Sequence, residues 1–296
     1  MTSWIEANQL ANLAAAQAHG DLDIDTSSPP IDVYQAIGDA GVVLMWRRLP
    51  SQFGAYLNEP GSRPGILVNN GLPPAAQRHT AAHELGHHRL GHASRADSEL
   101  DPPEFGRKVW GPEEKAAEAF SAWFLMPRKA VAAALVMLGV ERPRTPEDVY
   151  RLSLLLGTSY RSTVRHLPNL RLADRSRARE WAGVPPNRIK AKLDRAFAPP
   201  ASRLPEVWLV DSGFAGLRLP VRQDDRLVIV IPDGVEPAVG CPPGHTVLPP
   251  AAGHSAVLLE VHGREGGRIT VGSPIRWAFD IQVDGSPGGL ARRWLP

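Results

Sequence analysis

Residues 76–92 read AQRHTAAHELGHHRLGH, and the architecture of the first half of the chain turns on whether that stretch is a helix. It holds no proline and is rich in alanine and other helix formers, which predicts a helix through at least His88. Residues four apart share a helix face, so His83 and His87 can turn both imidazoles toward one ion while Glu84 emerges beside them. Zinc suits such a pair, because neutral imidazole nitrogens bind it at about 2.0–2.1 Å and the ion has no rigid geometric demand. Zinc lowers the pKa of a bound water toward about 7, and Glu84 is the group placed to take that proton and pass it on. His88 and His92 read as solvated residues of a polar helix face.

A catalytic zinc takes a third protein ligand and keeps one position open. Residues 113–125 form a second alanine-rich run, with Pro112 near its first turn and Pro127 closing it. Glu114 and Glu118 lie one turn apart on this helix, with Glu113 adjacent. Glu114 is the chosen ligand, and Glu118 the carboxylate that orients a histidine from behind. His92 is the rival ligand, as in the metzincin pattern, where glycine falls three residues and the third histidine six residues after the second. Here Gly91 and His92 fall four and five residues after His87, so that register fails.

Upstream, residues 3–19 carry Trp4, Ile5, Leu10 and Leu13 at helical spacing, with Ser3 placed to cap and Gly20 to stop the helix. A second helix over 31–40 and a short buried strand over 42–46 follow the Ser-Ser-Pro-Pro break. Two further β-like runs, GAYLN at 54–58 and GILVN at 65–69, complete a small sheet with helices against it. Downstream, a helix is expected over 128–138, and Thr145 with Pro146 opens another. Residues 175–203 turn charged and proline-rich, with Pro185-Pro186 and Pro199-Pro200, and read as a linker with some helix. Beyond about 205 the period changes to short β runs: VWLV, LRLPV, RLVIVI, AVLLEV, RITV and WAFDIQV.

The 296 residues are 43% hydrophobic, enough for a sizeable core and two or three domains, which excludes collagen-like, coiled-coil and highly charged disordered classes. Cys241 is the single cysteine, so no intrachain disulfide is possible. The opening residues lack the basic and apolar regions of a signal peptide, and a reducing, cytoplasmic location is the expectation. The apolar stretch 130–140 falls short of the roughly 20 residues that a bilayer span needs, so no membrane role is expected. Residues 141–204 carry 14 Lys and Arg against 6 Asp and Glu, eight positive charges net, which leaves the rest of the chain at minus six. Such a basic middle suits nucleic acid, an acidic partner or a plainly solvated surface.

The run ILVNNGLPPAAQRHTAAHELGHHRLGH, followed by EEKAAEAFSAWFLMP, resembles the ImmA/IrrE family of bacterial and phage metallopeptidases over roughly residues 30–170. Arg78, Ala82 and the residues from His83 to His87 fit the family's first motif; Phe120, Leu125, Met126 and Pro127 fit its second. Glu114 stands at the position of the family's third metal ligand. Glu118 departs from the usual Asn or Asp, and Phe124 replaces a usual leucine. The resemblance implies a zinc endopeptidase, with manganese as the alternative ion, of narrow specificity. It also implies a helix-turn-helix transcriptional repressor as substrate, cut to relieve repression under stress. Clefts of the zincin type bind peptide as an added strand, and the 65–69 run is expected to be the sheet edge that receives it. Tyr56 is a candidate oxyanion or substrate contact.

Residues 146–172 have helix-turn-helix spacing, with Tyr160, Arg161, Arg165 and His166 expected on the exposed face of the second helix, where DNA contact is possible. In the tail, Asp224, Asp225, His245, His254 and His262 follow no ligand spacing and read as turn or surface residues. The sequence thus predicts an α+β chain in three parts. These are a zincin-like core over 1–140, a helical helix-turn-helix-like segment and linker over 141–204, and a β-rich domain over 205–296. The rival function is a non-proteolytic regulator that uses the zincin scaffold and the basic segment to bind a repressor or DNA.

Overall fold

The computed structural model describes residues 3–93, 95–97, 110–194, 205–248 and 256–284. Among them the chain forms nine α-helices and three four-stranded mixed sheets, an α+β fold with a β-rich C-terminal region. It divides into two compact units, one built from the described residues of 1–134 with 156–166, the other from those of 135–155 with 167–289.

The first unit opens with α1 (Trp4–Asp21), held at its start by a reciprocal capping box in which Glu6 N donates to Ser3 Oγ and Ser3 N to the Glu6 carboxylate. Its buried face is a stripe of small residues, Ala7, Ala11, Ala15 and Ala18. Trp4, Ile5, Leu10 and Leu13, the residues whose spacing announced the helix, are 43–70% exposed. After α2 (Val33–Asp39) come β1 (Val43–Arg47), β2 (Gly54–Leu57) and β3 (Gly65–Asn69), then α3 (Pro74–Arg89) and β4 (Arg95–Asp97).

The sheet order is β1-β3-β2-β4, with β1 parallel to β3 and the other pairs antiparallel. This corrects the expectation for residues 65–69. That run is an interior strand with partners on both sides, consistent with its near-continuous burial, and it cannot receive a peptide strand. α4 (Pro112–Leu125) packs on α1 and α3, and α5 (Arg128–Met137) follows it. The core of the unit gathers Ile31, Ile37, Ile66, Leu85, Phe120 and Phe124, all essentially fully buried.

α6 (Pro146–Leu156) begins as its sequence suggests, with Asp148 N donating to Thr145 Oγ1 and Thr145 N to the Asp148 carboxylate. α7 (Tyr160–Leu170) follows a turn in which Gly157 has φ +64°. Two of the four residues expected on its exposed face are core residues instead: Tyr160 is 6% and His166 1% exposed, and the His166 ring meets Trp123 edge-on at 4.6 Å. Their aromatic area is worth more packed than solvated, so the amphipathic helix turns them inward.

In the second unit, α8 (Arg175–Ala182) and α9 (Pro186–Leu193) account for most of the presumed linker; residues 195–204, with Pro199-Pro200, lie outside the described residues. β5 (Val207–Val210), β6 (Arg218–Arg222), β7 (Arg226–Val230), β8 (Val239–Gly240), β9 (Thr246–Leu248), β10 (Ala256–Glu260), β11 (Gly267–Val271) and β12 (Trp277–Asp284) form two sheets, ordered β5-β7-β10-β9 and β6-β12-β11-β8. Asp225 is not a surface turn residue. It is 5% exposed, and its carboxylate accepts from the Trp208 indole and from the backbone amides of Glu206 and Arg222. Asp224 does sit in a turn, at φ +74°. His245 meets the Glu265 carbonyl and His262 the Glu260 carboxylate, and His254 lies outside the described residues. Burial pushes the Cys241 thiol up, away from thiolate chemistry.

Candidate metal centre

The residues from Thr80 to His87 on α3 are all buried, although the helix as a whole is polar. It runs between the sheet, at β2 and β3, and α4. Close approach on the α4 side needs Gly86. A Cβ there would lie 3.0 Å from Phe120 Cδ1 and 3.2 Å from Ala117 Cα, so glycine and a facing alanine let the two helices meet. That approach brings Glu114, in the first turn of α4 where the helix dipole favours an anion, over the two histidines.

The two histidine side chains and the Glu114 carboxylate offer ligand atoms that all lie within 4.8 Å of one another. His83 Nε2 is 3.1 Å from His87 Nε2 and 3.4 Å from Glu114 Oε2, and His87 Nε2 is 3.8 Å from Glu114 Oε1. Two atoms that each sit 2.0–2.1 Å from a tetrahedral ion are about 3.3 Å apart. The donor set therefore fits a divalent cation in both chemistry and spacing: two imidazoles and one carboxylate, converging in a mostly buried site.

The outer nitrogens of both imidazoles are also engaged. His87 Nδ1 lies 2.8 Å from His92 Nδ1, and His83 Nδ1 lies 3.6 Å from Glu118 Oε2. Glu118 in turn meets His79 Nε2 at 2.8 Å. Burial works against the Glu118 anion, but the charge and hydrogen bond of His79, with His83 adding, hold its carboxyl at about 2.

The expectation that His88 and His92 are solvated does not survive: His92 backs His87, and His88 Nδ1 meets the Tyr56 hydroxyl at 3.0 Å. Tyr56 itself is 2% exposed, and burial pushes its phenol up. Glu84 is fully buried on the sheet side of α3, where a Cβ on Gly54 would come within 2.9 Å of its Oε1. Sequence reasoning missed His79, although the four-residue spacing that pairs His83 with His87 extends one turn back to it. Arg78 is structural, donating to the backbone carbonyls of Gly157 and Ile31.

Residues 37–143 match a family model described as the IrrE N-terminal-like domain, and this span contains His83, His87 and Glu114. No curated protein matches the chain. Residues 37–143 are thus an IrrE N-terminal-like domain, of the kind found in the ImmA/IrrE metallopeptidases, with a His-His-Glu group able to hold a metal ion.

Proposed function

We propose that the chain is a zinc-dependent endopeptidase of narrow specificity that acts in the cytoplasm on a helix-turn-helix transcriptional repressor. The observation that carries the peptidase reading is the convergence of His83, His87 and Glu114 at ligand spacing inside the matched domain. The repressor, the location and a role in stress response rest on the family resemblance alone. Bound zinc, or manganese in its place, supplies a Lewis acid that polarises a peptide carbonyl and acidifies a water.

The chain's own residues do the rest. His92 fixes the ring orientation of His87, so that its Nε2 stays available to the ion, and the Glu118 carboxylate, 3.6 Å from His83 Nδ1, places a negative charge behind His83. Glu84, adjacent to His83, takes a proton from the attacking water and returns it to the leaving amine. The complete burial of Glu84 favours a second reading, in which the same scaffold binds a repressor or DNA without cutting it.

One substitution separates the two readings. Zinc-loaded protein is incubated with a candidate helix-turn-helix repressor and the products are read by mass spectrometry. A single cut that slows by about 100-fold or more in Glu84→Gln, with zinc retained, supports the peptidase. Full regulatory function of Glu84→Gln in cells supports the binder.

A further inference from the structure

We propose that His79 is a positioning residue that holds the Glu118 carboxylate behind the His83 ring and keeps it off the metal, so that one position of the ion stays open. The inference rests on the metal centre and deepens the peptidase reading, but no bond has to be cut to test it.

α3 and α4 bring three histidines and two glutamates together in order. Glu114 Oε1 lies 3.8 Å from His87 Nε2, and Glu114 Oε2 lies 3.4 Å from His83 Nε2. One turn further along α4, Glu118 Oε2 lies 3.6 Å from His83 Nδ1 and 2.8 Å from His79 Nε2. The shortest of the four contacts is the one to His79. A carboxylate only accepts, so His79 Nε2 donates to it in a charge-assisted hydrogen bond, whereas 3.6 Å to His83 is beyond hydrogen-bond length. The place of the Glu118 carboxylate is therefore set by His79 and not by the ligand that it backs.

That hold decides what Glu118 does. Glu114 and Glu118 are four residues apart and share a face of α4, and His83 turns one ring nitrogen to each, so a single imidazole ring separates the Glu118 carboxylate from the ligand atoms. Packing does not confine it: the Glu118 and His79 side chains are 13% and 14% exposed, and both line a cavity of about 300 Å³ that leaves the carboxylate room to swing. A zinc with three protein ligands keeps a position for water, whereas a fourth protein ligand closes the site and makes it structural. Glutamate has one methylene more than the Asn or Asp usual at this position, and with it a longer reach. Here it comes with a histidine one turn before His83 that restrains it.

The test loads full-length protein with cobalt(II), whose visible absorption reports its ligands, and titrates it with acetohydroxamate, a small chelating anion that needs the open position. Wild type should bind acetohydroxamate with a spectral shift. His79→Phe, checked for melting and for one cobalt per chain, should bind it about 10-fold or more weakly, because the released Glu118 carboxylate takes the open position. His79→Ala gives the same reading should the larger ring impair folding. His79→Phe/Glu118→Asn should restore wild-type binding, and His79→Gln, which keeps a donor, should retain most of it. Acetohydroxamate binding that both His79→Phe and His79→Ala leave unchanged, or a loss that persists in the double variant, overturns the proposal and leaves the metal centre and the peptidase standing. Cobalt taken up by no form overturns the proposal together with the metal centre.

Discussion

His92 shows how one residue changes role between sequence and structure. Its spacing from His87 is one residue short of the metzincin pattern, which argues against it as a ligand. What spacing could not reveal is the turn at Gly91, φ +69°, where His92 N donates back to His87 O and the imidazole folds against the outer nitrogen of His87. His83, Glu84 and His87 were legible because helix periodicity is local; His79 and His92 gain their roles from partners that only the tertiary fold or a helix end supplies. His166 was misread for the same reason, and its burial has a measurable consequence. Burial against Trp123 holds His166 at about 4, below its ordinary 6.5, outweighing the pull of a hydrogen bond to Met126. The unfolded chain therefore takes up this proton near 6.5 and the folded chain only near 4, so the stability present above 6.5 is lost as pH falls through that window. The expected loss is on the order of 3 kcal/mol. Denaturant titrations of wild type and His166→Phe from pH 7.5 to 4.5 check it, because other titrating groups cancel in the difference.

At the scale of elements, the meeting of α3 and α4 decides whether the metal centre exists. A methyl group on Gly86 would press on Phe120 and on the backbone of Ala117, so Gly86→Ala should cost about 1–3 kcal/mol and weaken metal affinity by moving Glu114 off the histidines. Thermal melts with and without zinc, beside a chelator competition, measure both effects. The positions of α1 to α7 and of β1 to β3 were readable from pattern, whereas α8 and α9 were read as a linker with some helix. Their packing was less so: in α1 the large apolar residues face outward, because α4 packs closely only on a stripe of alanines. The 65–69 run was readable as a strand but not as an interior one, since an apolar run of five residues looks alike at an edge and in the middle of a sheet. In the tail, six of eight strands announced themselves as β runs, whereas β8 and β9 are two and three residues long and carry too little periodicity to be seen. The parallel pairings of β5 with β7 and of β6 with β12 join non-consecutive strands, which no local pattern encodes.

For the whole molecule, the division into two units makes the effect of the metal local. His83, His87 and Glu114 all belong to the first unit, so ligand binding there stabilises that unit by mass action, about 4 kcal/mol at a metal concentration 1,000 times the Kd. Treatment with EDTA should lower the melting of the first unit and leave hydrogen exchange across 205–284 unchanged. Equal loss of protection in both units would contradict this. The central claim, that His83, His87 and Glu114 form one metal centre, is tested most directly by elemental mass spectrometry of the purified chain and two variants. About one zinc per chain is expected in the wild type. Glu114→Ala should lose it, and His92→Ala should keep it with affinity weakened about 10–100-fold. A wild-type chain that takes up no metal, or zinc that survives Glu114→Ala undiminished, would contradict the account.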